Sequence, residues 1–248
     1  MTRRPEARAG AHEEFDRQPV GLLPRVDLPV GWTRAPLALG FHAVVAVAAV
    51  VVLWLPWGAL GWRVAAIVVA YHVGMLVVSR WPAGEGWLRA WAVLAPLSIL
   101  MVLPDWFVSA VLETLRVPDT GAAFVGTVPV FMAGMWVMAL FPLVLVAAAT
   151  EKRFGARPAV VVVALAGAML FWAAELLAPV IPLWEPIGVD EVGGIAAYVL
   201  PAEVMLSVVA WLVVRGSLWR SRTVTAVSVI ATPVLYTGAL ALGYQVLP

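Results

Sequence analysis

The stretch 158-PAVVVVALAGAMLFWAAELL-177 carries no charge before Glu175. A helix rises about 1.5 Å per residue and the hydrocarbon core of a bilayer is about 30 Å thick, so roughly 20 apolar residues cross it. Residues 158–177 meet that length, and the segment before them, Glu151-Lys152-Arg153-Phe154-Gly155-Ala156-Arg157, is suited to a headgroup region. The same pattern recurs on both sides. Apolar segments of spanning length lie at about 36–55, 62–79, 88–103, 128–149, 194–214 and 223–243. Pro104 and Asp105 interrupt the one at 88–103, and apolar sequence resumes at Trp106–Leu112, as in a kinked or interfacial continuation. The expected fold is an all-α integral membrane bundle of seven transmembrane helices occupying residues 34–248.

Bulk composition agrees. The chain is 63% hydrophobic and 12% charged, with a mean hydropathy of +0.95, whereas soluble domains carry about 25% charged residues. There is too little polar surface to coat a water-soluble globule. A net charge of +1 gives no footing for nucleic acid, and the absence of cysteine excludes disulfides, thiolate metal sites and cysteine nucleophiles. Lys152 is the only lysine among 16 basic residues, a bias expected of a GC-rich bacterial genome.

The loops fix the orientation. With the N-terminus in the cytoplasm, every basic residue except Arg63 and Arg116 falls on the cytoplasmic side, as the positive-inside rule requires. An odd number of spans then places the C-terminus outside, and the expected location is the cell inner (plasma) membrane. Trp54, Trp57, Trp62, Trp81, Trp87, Trp106, Trp184 and Trp219 fall near expected helix ends, where interfacial indoles gather. Residues 1–33 mix Arg3, Arg4, Arg8, Arg17 and Arg25 with five acidic residues and read as a disordered cytoplasmic tail. No internal repeat is evident.

Ionisable groups at membrane depth are costly and point to function. Glu203 is the clearest, about nine residues into the sixth span and hence about 14 Å deep, with Ser207 and Trp211 on the same helical stripe. Pro201 is expected to free backbone carbonyls beside it. A hydrogen-bonded glutamate joining two helices is the other reading. Glu175 ends the fifth span, three residues after Trp172; Asp105 follows Pro104; Asp119 lies in Pro118-Asp119-Thr120-Gly121, a string that is also ordinary turn chemistry. His72, beside Tyr71, is central in the second span and reads either as catalytic or as a satisfied core histidine; His42 reads as structural. No HxxxH, HxxE or ExxH spacing points to a metal. Gly167, Ala168, Ala173 and Ala174 suit close helix packing. Met132, Met135, Trp136 and Met138 suit either a pocket for an extended apolar ligand or bundle core. GxGxxG, P-loop and paired aspartate-rich motifs are all absent, so nucleotide-driven and diphosphate-ionising chemistry lack support.

Trp184–Glu203 contains a tryptophan, a short acidic loop, Gly193-Gly194-Ile195, Tyr198 and Leu200-Pro201-Ala202-Glu203. It resembles the Pro-x-Glu region of the small membrane-embedded carotenoid lycopene cyclases of the heterodimeric or fused type. Val204 stands where that family carries a second acidic residue. The seven-helix size also resembles the fungal membrane terpene cyclases. Both resemblances imply a cofactor-independent isomerase that cyclises a lipophilic isoprenoid drawn from the bilayer. Such a reaction needs a buried acid to protonate an alkene, aromatic faces to stabilise cations, a dry cavity and a base. On this implication Glu203 is the acid, Glu175 or Asp105 the base, and Trp172, Trp136 and Trp211 the cation-facing rings, with Met132, His72 and Tyr198 completing the substrate site. Membrane lipids are the other expected partner, and two alternatives from other classes stand beside this reading: a proton-coupled transporter using a Glu203–His72 relay, and a non-catalytic assembly or scaffold subunit.

Overall fold

The computed structural model of the chain describes residues 23, 24 and 26–247. Among the described residues, seven helices are long and apolar enough to cross a membrane: α1 (Ala35–Trp54), α2 (Leu60–Val78), α3 (Trp87–Val111), α4 (Met132–Phe154), α5 (Ala156–Leu177), α6 (Val199–Gly216) and α7 (Arg222–Val246). The chain is a multi-pass membrane protein with an all-α spanning core. Helix α4 is the hub, packing against α1, α2, α3, α5 and α6, while α7 closes the bundle against α3 and α6. Helix α1 buries none of its residues within the protein. Its all-round apolar surface is the kind that faces lipid.

Local chemistry sets the boundaries. Ser221 caps α7, its hydroxyl accepting from the Val224 N–H. Arg63, one of the two basic residues on the sparsely charged side, donates to the carbonyls of Leu53 (2.6 Å) and Leu55 (2.7 Å). It thereby satisfies carbonyls that the end of α1 leaves free. Helix α3 is regular over Trp87–Leu100 and breaks at Met101. Pro104 has no N–H for the Leu100 carbonyl four residues back, which accounts for the break. The helix then continues through Trp106 and widens into a π-type turn at Phe107–Val111, with Leu112 N–H donating to the Phe107 carbonyl at 2.9 Å. The interruption expected at Pro104-Asp105 is thus a kink within one span.

Two spans begin later than the hydropathy suggests. Residues 128–131 and 194–198 lie ahead of their helices, because short hairpins precede α4 and α6. In the first, β2 (Phe124–Val125) pairs with β3 (Val128–Pro129) around Gly126-Thr127. In the second, β5 (Glu191–Val192) pairs with β6 (Ile195–Ala196) around Gly193-Gly194. Gly126, Gly193 and Gly194 have φ of 63°, 64° and 86°, values that a side chain opposes in such a two-residue turn. Ahead of the hairpins, β1 (Leu115–Arg116) and β4 (Glu185–Pro186) pair antiparallel with each other. The protein therefore uses one plan twice: helix, short strand, hairpin, helix. This repeat was not visible as sequence similarity because only the Val-Gly turns of the hairpins share residues.

Residues 1–22 and 25 of the expected tail lie outside the described residues. The remainder is not a loose tail. Val30–Thr33 forms a 3-10 turn, Trp32 is buried against Trp211 (ring centroids 6.4 Å apart), and Gly31 O accepts from the Trp87 indole at 3.0 Å. At this arginine-rich end, Arg215 is fully buried. It donates through Nε and Nη2 to the two Glu151 carboxylate oxygens, both at 2.7 Å, and through Nη2 to the Pro24 carbonyl.

Candidate functional site

At the opposite, hairpin-bearing end the helices enclose a cavity of about 280 Å³. Asp105 reaches it from the kinked part of α3, Glu175 from the last turn of α5 and Glu203 from the second turn of α6. All three are buried, and none of the described residues lining the cavity is basic. Because the β5–β6 hairpin consumes residues 191–196, Glu203 is only four residues past the start of α6, about 6 Å along it. It therefore lies nearer the hairpin end than the midplane depth the sequence suggests. Pro201 falls in the first turn of α6, where a missing N–H costs nothing, so it shapes the start of the helix and leaves no interior carbonyl free.

Each of the other two carboxyls is held by an indole. Trp136 Nε1 donates to Asp105 at 3.0 Å and Trp184 Nε1 donates to Glu175 at 3.1 Å. Trp136 stands one ring from Phe171 (5.8 Å, tilted) and from Tyr236 (5.7 Å, edge-on). These rings, with Met132, Met135 and Met138, make an apolar and aromatic wall. The Tyr198 hydroxyl pairs with Thr114 Oγ1 at 2.6 Å, tying the start of α6 to the chain leading into β1. Burial pushes that hydroxyl above the usual range for tyrosine, so it remains an O–H. Leu115 and Pro186, partners in the β1–β4 register, roof the cavity, and Arg116 and Glu185 pair on the exposed side of that ribbon.

The remaining residues singled out in the sequence go elsewhere. Asp119 is exposed and accepts from the Gly121 N–H at 2.8 Å, the turn chemistry its surroundings suggest. Trp211 is eight residues beyond Glu203, about 12 Å along the helix, and packs on Trp32 at the arginine-rich end. Trp172 is exposed and lies over the Gly193 turn; Phe171, a full turn before Glu175, takes the cavity-facing position instead. His72 accepts on Nδ1 from the Trp91 indole (2.9 Å), so its Nε2 donates to the Gly134 carbonyl (3.1 Å). Both ring nitrogens are engaged away from Glu203, which leaves a Glu203–His72 relay without a link. Ser207 donates to the backbone carbonyl of Glu203 at 2.8 Å, not to its carboxyl. Trp136, Met132 and Tyr198 line the cavity together with Glu203, Glu175 and Asp105.

Sequence reasoning missed Tyr236, Trp184 and Phe171 as cavity residues. A signal existed for Tyr236: Ser228, Thr232 and Tyr236 recur every fourth residue, which places them on one face of α7. A family model described as "Domain of unknown function (DUF6989)" matches residues 102–247, from the kink of α3 to the end of α7. That stretch contains every cavity carboxyl and both hairpins. No curated protein and no solved structure matches the chain.

Proposed function

We propose that this chain, which belongs to the DUF6989 family, is an intramembrane isoprenoid-modifying enzyme that catalyses a proton-initiated cyclisation. The observation that carries this reading is the convergence of three carboxyls, without a basic residue among the described lining, on an apolar cavity walled by aromatic rings. Glu203 is the acid, since no hydrogen bond from the described residues engages its carboxyl and Oε2 is buried without a partner among them. Its O–H proton adds to one alkene carbon of the substrate. A second π bond of the substrate closes on the resulting cation and forms the ring bond. Asp105 or Glu175, each fixed by an indole, removes a proton from carbon to leave an alkene. Product and substrate are isomers, and proton transfer from the base back to Glu203 resets the site. The rings of Trp136, Phe171 and Tyr236 stabilise the intermediate cation, and the apolar wall keeps water from quenching it.

The reading agrees with the resemblance of Trp184–Glu203 to the membrane lycopene cyclases, and the basic residues gathered at the far end suit a bacterial inner membrane with the cavity in its outer half. A substrate dissolved in the bilayer reaches that half laterally. The test is expression of wild type and Glu203→Gln in a host accumulating linear carotenoids and prenylated quinones, with lipid extracts profiled by mass spectrometry. A product of unchanged mass and shifted retention, lost in the variant, supports the reading; no new lipid with folded wild type present counts against it.

A further inference from the structure

The protic groups lining the cavity separate into those with partners and those without. Trp136 donates to one oxygen of Asp105, Trp184 donates to one oxygen of Glu175, and the Tyr198 and Thr114 hydroxyls pair with each other. Two groups remain for which the described residues provide no hydrogen bond: the Glu203 carboxyl and the Tyr236 hydroxyl. Tyr236 is 3% exposed, and its ring is fixed edge-on to Trp136 at 5.7 Å. One turn earlier on α7, Thr232 gives its own hydroxyl proton to the Ser228 carbonyl at 2.8 Å, and no hydrogen bond joins it to Tyr236. Tyr236 lines the cavity, so the expected partner of its O–H is an acceptor carried by whatever fills that space.

We propose that the part of the ligand entering the cavity carries a neutral acceptor oxygen (hydroxyl, ether or carbonyl), and that the Tyr236 O–H donates to it. This rests on the isoprenoid reading above and narrows it. A pure hydrocarbon leaves Tyr236 unsatisfied. An anionic oxygen is repelled, because three carboxyls and no basic residue of the described lining surround it. Size sets a further limit. An apolar cavity of about 150 Å³ takes a benzene ring, so 280 Å³ takes a group of one or two rings. The oxygen therefore lies on, or next to, the end that reacts, while the rest of the chain extends into lipid. Tyr236 determines specificity and orientation, presenting the ligand's reacting end to Glu203.

Three probes of one C15 skeleton test this with protein in nanodiscs, titrated by tryptophan emission: farnesol, its methyl ether, and β-farnesene. Farnesol and the ether are expected to bind wild type more tightly than the hydrocarbon. Tyr236→Phe should weaken both oxygenated probes by about 3- to 10-fold, the worth of one neutral hydrogen bond, and leave β-farnesene unchanged. The wild-type comparison does not depend on how the variant folds: an ether that binds no better than the hydrocarbon overturns donation from Tyr236. Equal binding of all three probes overturns the hydrogen bond while the isoprenoid reading stands. Binding of none overturns both.

Discussion

Gly167 on α5 faces Ser207 on α6, one turn beyond Glu203. A Cβ at position 167 would press into Ser207 Oγ and stand 2.6 Å from Ser207 Cβ; the next atom, Leu143 Cδ1, is at 3.8 Å, an ordinary contact. Gly167→Ala must therefore separate α5 from α6, at a cost of about 1–3 kcal/mol for overpacking. Ser207→Gly removes both clashing atoms and costs about 1 kcal/mol or less as a glycine within a helix. The double variant Gly167→Ala/Ser207→Gly should consequently be more stable than Gly167→Ala alone, although it carries more substitutions. Unfolding in mixed micelles with increasing SDS measures the order. The helix separation also moves Glu203 relative to Glu175, so product formation should fall in the single variant and recover in the double. A single variant as stable as wild type, or a double variant no better than the single, refutes close packing of α5 on α6 as the support of the site.

Other perturbations separate strong interactions from weak ones. Glu151→Leu leaves Arg215, which is 0% exposed, as a buried unpaired cation and should cost about 3–5 kcal/mol; adding Arg215→Met should recover most of this in the same unfolding assay. Trp136→Phe keeps a ring in the wall but removes the donor to Asp105. Product formation in membranes should drop about 10-fold or more, as for loss of a hydrogen bond to a charged group, and an unchanged rate argues against Asp105 as base. Arg116→Ala breaks only an exposed pair, with side chains 65% and 35% accessible. Its unfolding free energy should change by less than about 1 kcal/mol.

The spans and their number were legible because hydrocarbon thickness imposes a length on apolar sequence that nothing in the loops imitates. The hairpins were not, since Val128–Phe131 and Gly194–Tyr198 are as apolar as the helices they precede, and only glycine φ values separate the two. That error displaced Glu203 toward the midplane. The three carboxyls were legible as ionisable groups at membrane depth, whereas their meeting in one cavity is a consequence of tertiary packing. The aromatic partners were mostly misassigned because helical phase discriminates poorly over one turn: Phe171 and Trp172 are adjacent in sequence, yet only Phe171 faces the cavity. Trp211 shares Glu203's stripe, but distance along the axis excludes it. Tyr236 needed knowledge of which face of α7 packs inward.

The most direct measurement is isotopic. Membranes containing wild-type protein, exchanged into D₂O and supplied with the substrate found by lipid profiling, should yield a first-turnover product one mass unit heavier than in H₂O, with one deuterium at carbon. Glu203→Gln should yield none of it. A wild-type product without deuterium, or the same labelled product from Glu203→Gln, would contradict proton delivery by Glu203.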